Sequence, residues 1–224
     1  MDEYWLQNLT QSTAVIVPTR SLANTLKEQI ADLHIAQGRS VWEAPNILLW
    51  QDYLRVLWQH NREKVGRHSG AYTLVSARQS TLLWTQVVES SKRLEKALTL
   101  LDVQQTVRAV QRSWRLMNDW NVSPKDLVDE HVADTAQFLN WIADYCVLLK
   151  KKGLMDEGQL QQSLIAIEAT ALYSKTIWYC YDLISSSQKR LNRLAEQSAC
   201  VVEYQAALNK QDALNKQDPL NKQA

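Results

Sequence analysis

Four small or β-branched apolar residues, Ala14-Val15-Ile16-Val17, meet Pro18-Thr19-Arg20 and pass straight into a helical pattern with Leu22, Ala23, Leu26 and Ile30 on one face. An unbroken apolar run of this length suits a strand covered on both sides, as in a parallel sheet flanked by helices. Pro18 has no N–H to give to a ladder, so the strand ends there. Thr19 or Ser21 can accept the first free N–H groups of the helix. Strand, tight turn and helix make the first half of a βαβ unit. In open α/β sheets that turn lies on the edge where ligands bind.

The rest of the chain extends this pattern. Met1–Ser12 reads as a short leading helix, and Gly38 as the cap that ends the first long one. After a turn at Pro45-Asn46, Ile47–Leu49 forms a second short strand. The helix behind it carries Trp50, Tyr53, Leu54, Leu57 and Trp58 on one face. Lys64–Ala71 is a loop. From Ser76 to about Leu172 only helices are expected: Ser76–Ser90 with Ser76 as N-cap, Leu94–Leu101, Asp102–Asn118, then, past a break at Asn121–Asp126, Asp134–Lys152 and Asp156–Leu172. Thr176–Tyr181 and Ala199–Tyr204 are strands on either side of a helix over Ser185–Gln197. The hexapeptide ALNKQD at 207–212 recurs at 213–218 and as PLNKQA at 219–224. A period of six matches no helical repeat, so 205–224 is expected to be a disordered, low-complexity tail. The predicted fold is α/β and predominantly helical: a small parallel sheet interrupted by a large all-helical insertion. Residues 1–72 form the first half of the sheet domain, 73–172 the insertion, and 173–204 the returning strands and helix.

Catalytic groups are hard to find. No Gly-Lys pair exists for a P-loop; Gly153 and Gly158 have the glycine spacing, but Gln159-Leu160 follow and a helix precedes. No lysine has Asp or Glu two residues before it, so a PD-(D/E)xK nuclease strand is missing. His34, His60, His68 and His131 are scattered, and Cys146, Cys180 and Cys200 form no C-x-x-C. Cys180 is expected to pack as a small hydrophobe inside its strand. The chain is therefore read as a non-enzyme with no cofactor and no metal. With 25 Lys+Arg against 24 Asp+Glu, any polyanion contact must use a local patch. Arg108, Arg112 and Arg115, at i, i+4 and i+7, line one side of a helix. With Arg93 and Lys96 they make either a phosphate-contacting strip or a solvated face. Lys150–Lys152 complement a helix dipole. Trp50, Trp58, Trp114 and Trp141 have the spacing of buried faces rather than of a base-stacking platform. The acidic N-terminus and the lack of any run of ~18 apolar residues point to a cytoplasmic protein with no membrane contact.

Four stretches together resemble the N-terminal region of a bacterial family of probable DNA repair proteins. These are AddB/RecB-like chains with an inactivated superfamily 1 helicase module ahead of a PD-(D/E)xK nuclease. The stretches are VIVPTRSLANTLKEQI (15–30), similar to helicase motif Ia, APNILLWQDYLRVLW (44–58), WRLMNDWNV (114–122) and YDLISSSQKRL (181–191). The last falls where the family keeps a relic of the Walker B motif. The resemblance covers about 1–204. It departs at Leu183, where the family usually has Glu, at the serines 185–187, which replace Thr-Pro, and in lacking the nuclease. It implies a helicase-like sheet, places Arg20 where motif Ia contacts single-stranded DNA, and makes Asp182 a degenerate Walker B carboxylate. The expected function is a non-catalytic, degenerate helicase-like module of a DNA repair or recombination protein, structural and weakly single-stranded-DNA binding, with other DNA repair proteins as partners. The alternative is a protein-interaction scaffold, or a truncated gene fragment, without a nucleic-acid role.

Overall fold

The computed structural model describes residues 4–64, 72–94, 102–127 and 133–205. The expected loop beyond Lys64, the helix over Leu94–Leu101 beyond its first residue, and the hexapeptide repeats lie outside them, as do Lys96, His68 and His131. The protein is α/β and predominantly helical, with a small all-parallel sheet. It divides into two compact units.

The sheet unit comprises Met1–Val56, Ala171–Ile184 and the residues from Ala195 on. Its elements include α1 (Tyr4–Gln7), β1 (Thr13–Val17), α2 (Arg20–Ala36), β2 (Asn46–Leu49) and the start of α3 (Trp50–His60). The chain re-enters it with β5 (Lys175–Tyr179) and ends the described part in β6 (Val201–Gln205). The strands run in the order β2-β1-β5-β6, with Val15 opposite both Ile47 and Ile177. Every residue of β1 is buried, as its apolar run requires of a central strand. One face packs on α2 through Ala23, Leu26 and Ile30, within a core that includes Val15, Val17 and Ile177. Trp50 lies 5.0 Å from the Trp178 ring. Thr19 caps α2, its hydroxyl accepting from Leu22 N–H at 3.2 Å.

Burial in this unit sets a pH dependence. It pushes the Tyr53 phenol from 10.0 up to about 12, although a hydrogen bond with Thr176 pulls the other way. Tyr181, also under burial, rises to about 12. Above pH 10 the unfolded chain gives up these protons while the folded one keeps them, so stability falls as pH rises from about 10 to 12. The slope from Tyr53 alone reaches about 1.4 kcal/mol per pH unit. Thermal midpoints at pH 9 and 11.5 should separate, and Tyr53→Phe should narrow the gap. An unchanged gap would contradict this.

The helical unit comprises Leu57–Thr170 and Ser185–Leu194. It holds β3 (Thr73–Leu74), α4 (Ala77–Leu94), α5 (Val103–Trp120), a 3-10 turn at Pro124–Leu127, α6 (Ala133–Lys151), β4 (Leu154–Met155), α7 (Glu157–Ala166) and most of α8 (Ser186–Gln197). Trp84, Val88, Val107, Val110, Trp114 and Tyr145 form its core, with the Trp84 and Tyr145 rings stacked at 3.8 Å. Ser76 and Asp102 cap α4 and α5 by accepting first-turn N–H groups. Trp50, Trp114 and Trp141 are buried and Trp58 half-buried, so the tryptophans pack as core.

Several expected boundaries move, among them the end of the helix expected over Ser76–Ser90, which runs on to Leu94. The all-helical reading from Ser76 to Leu172 gives way at Leu154–Met155, which pairs in parallel with Thr73–Leu74. A two-residue strand has no periodicity to read. Among the described residues the leading helix is Tyr4–Gln7, ending short of the expected Ser12. The helix expected to reach Leu172 stops at Ala166, because Glu168 turns left-handed (φ 49°) and Ala169 N–H bonds back to Leu164 O. Ala199 does the same after α8 (φ 62°), with Cys200 N–H on Ala195 O, so β6 starts at Val201 instead of Ala199. β5 stops at Tyr179 instead of Tyr181, since Cys180 sits at φ 59°. Cys180 is thus a half-buried turn residue beyond the strand, although it still packs on the sheet core.

Candidate functional site

In the sheet unit the chain leaves β1 on one side to reach β2 and returns on the other side as β5. The carboxyl ends of β1 and β5 therefore flank the point where the strand order reverses, which is where open α/β sheets form a ligand crevice. Arg20 opens α2 just past β1, and Asp182 follows β5 in a bend, so the topology brings both to this edge. Both are exposed. Asp182 makes no hydrogen bond or ion pair among the described residues. It does not cap the following helix; Ser185 does, accepting from Gln188 N–H at 3.3 Å and donating its own N–H to Gln188 Oε1 at 2.7 Å. Leu183 beside it is 66% exposed.

The helical unit gathers the other three candidates. Arg108, Arg112 and Arg115 are exposed along α5 and together line a cavity of about 360 Å³. Thr81 of α4 and Glu157 of α7 complete part of its wall. Arg115 feels the Asp119 carboxylate one helical turn on. Arg108 and Arg112 form no ion pair among the described residues. Gln111, between the arginines, reaches Ser80 Oγ at 3.4 Å and Thr81 Oγ1 at 3.3 Å, which ties this face of α5 to α4.

Asp156, 6% exposed, also lines this cavity. Its Oδ2 accepts from Ser80 Oγ (2.8 Å) and Tyr145 OH (2.7 Å). Its Oδ1 accepts from Gly158 N–H (2.8 Å) and Trp114 Nε1 (3.2 Å). One carboxylate thus joins α4, α5, α6 and the start of α7, and its capping box with Gln159 begins α7. A buried carboxylate with four donors is satisfied, which suits a structural post. Burial, and after it the Asp156 charge, push the Tyr145 phenol far up, so it remains a donor. The same two causes raise the Cys146 thiol, which keeps it out of its nucleophilic form at neutral pH. Gly158 stands where a Cβ would lie 2.7 Å from Trp114 Nε1, so only glycine fits. The Gly153–Gly158 spacing is the turn from α6 into α7, with Gly153 at φ 63°.

Asp156, Ser80, Tyr145 and Gln111 were not singled out by sequence. One signal was available: Asp156 and Gln159 have the spacing of a capping box ahead of an apolar run. Among the described residues, no three His, Cys, Asp or Glu side chains come together. No helix among them is long and apolar enough to cross a membrane. No protein-family model and no curated protein sequence matches this chain.

Proposed function

We propose that this chain is a non-catalytic, degenerate helicase-like module of a cytoplasmic DNA repair protein, whose helical unit contacts single-stranded DNA through Arg108, Arg112 and Arg115. The observation that carries the reading is the shared cavity wall of these three guanidiniums, two of them without a carboxylate partner among the described residues. Unpaired arginines on one helix face offer bidentate donors to phosphate oxygens. Arg20, exposed at the strand-reversal edge, is a second contact on the same reading, and Asp182 is a relic that holds no nucleotide. The repair context rests on the resemblance over 1–204. The rival reading, a protein-interaction scaffold, draws on Leu116 and Trp120 of the same helix, 51% and 42% exposed.

Titration of fluorescent single-stranded DNA at rising salt separates the two. Phosphate contact gives an affinity that falls linearly on a log–log plot with salt. Changing all three arginines to alanine should weaken binding and flatten that slope by about 2, at ~0.7 per lost phosphate contact. Binding indifferent to salt and to the triple variant, or no binding, would overturn the proposal.

A further inference from the structure

The helical unit holds a second cavity, of about 490 Å³, a volume within the usual range for small-molecule sites. Its apolar walls include Trp114, Leu149 and Met155. Its polar lining includes three amide side chains, Asn118, Gln159 and Gln162, together with Lys150. Backbone partners settle which end of each amide is spent. Asn118 Nδ2 donates to Trp114 O at 2.8 Å. Gln162 Nε2 donates to Asn118 O and to Ser187 Oγ, each at 3.0 Å. Gln159 Oε1 accepts from Asp156 N–H at 3.2 Å. A carbonyl can only accept and an N–H can only donate, so these orientations are not interchangeable. What remains is a fixed set: Asn118 Oδ1 and Gln162 Oε1 as acceptors, with no partner among the described residues, and Gln159 Nε2 as a donor, engaged only by a 3.9 Å contact to Cys146 Sγ. Lys150 adds an exposed cation.

We infer that this cavity is a binding site for a planar heterocycle bearing an exocyclic amine, the chemistry of cytosine, adenine and guanine and not of uracil or thymine. The two amide oxygens take the amine hydrogens, the Gln159 N–H meets a ring nitrogen or carbonyl, and the indole and aliphatic walls take the ring faces. The inference uses none of the three arginines and stands or falls apart from single-strand binding.

Calorimetric titration of the full chain with cytidine and with uridine tests it, since the two have nearly the same shape but exchange donor and acceptor at position 4 and at N3. Cytidine should bind at least about tenfold more tightly, because uridine leaves the two oxygens facing its own carbonyl. Gln159→Glu keeps the capping box but replaces the free N–H with an acceptor. It should cut cytidine affinity at least about tenfold while the thermal midpoint holds. Ala166→Phe, on an exposed position at the cavity wall, should abolish binding by filling the space. Equal affinity for the two nucleosides, no heat with cytidine at about 1 mM, or cytidine binding untouched by Gln159→Glu would overturn the assignment.

Discussion

Asp156→Ala is expected to cost about 4 kcal/mol of folding stability. The carboxylate has four donors, and their fates differ. The Ser80 and Tyr145 hydroxyls already lie 3.1 Å apart and can turn toward each other. The Trp114 indole N–H and the Gly158 N–H have no such substitute. Each is buried and would lose its acceptor, at roughly 2 kcal/mol apiece. Asp156→Asn should cost only about 1 kcal/mol, since its oxygen still serves Trp114 and Gly158 while the hydroxyls rotate to accept from the amide. Urea unfolding followed by near-ultraviolet circular dichroism measures both. Equal midpoints for the two variants would show that the charge, rather than the set of acceptors, holds the junction.

The second large effect is expected at Asn61, which is 2% exposed. Its Nδ2 donates to Leu57 O and to Thr170 O, both at 2.9 Å. Its Oδ1 accepts from Thr170 N–H at 2.9 Å and Thr170 Oγ1 at 3.1 Å. One amide thus pins the chain where it enters the helical unit to the chain where it leaves, 109 residues later. In Asn61→Ala, Leu57 O keeps the backbone N–H of residue 61, but both backbone groups of Thr170 are orphaned. The cost should be about 3 kcal/mol. Hydrogen exchange at the Thr170 amide should accelerate by a comparable free energy, while amides in β1 change little. Uniform acceleration across both units would show instead that the clamp supports the whole chain.

Local chemistry was legible wherever it carried a local signal. The buried strand at Ala14–Val17, a cap at Thr19 or Ser21, of which the structure uses Thr19, and the helix from Asp102 with Val107, Val110, Trp114 and Met117 inward all follow from periodicity and capping residues. Helix ends divide along the same line. Among the described residues five helices end on a left-handed residue: Gly38, Asn121, Gly153, Glu168 and Ala199. The ends at Gly38 and near Asn121 were readable because glycine and asparagine favour that conformation. Glu168 and Ala199 have no such preference; the helix end beside Glu168 fell short of the expected Leu172, while α8 ended at Gln197 as expected and only the start of β6 beside Ala199 shifted. Tertiary packing holds those residues in a backbone state that costs about 1 kcal/mol.

The sequence by itself determined the four strands of the larger sheet and the long helices, and that Arg108, Arg112 and Arg115 share one side of α5, because those facts depend on neighbours within a turn or two; the short pair Thr73–Leu74 and Leu154–Met155 it did not reveal. Only the tertiary structure decided that Asp156 would be shared by Tyr145, Trp114 and Ser80, which lie 11, 42 and 76 residues away. It also decided that the amides of α5 and α7 would line one cavity and the arginines another. A hydrogen-bond partner at that separation leaves no trace in local periodicity, because it is chosen by how whole helices settle against each other.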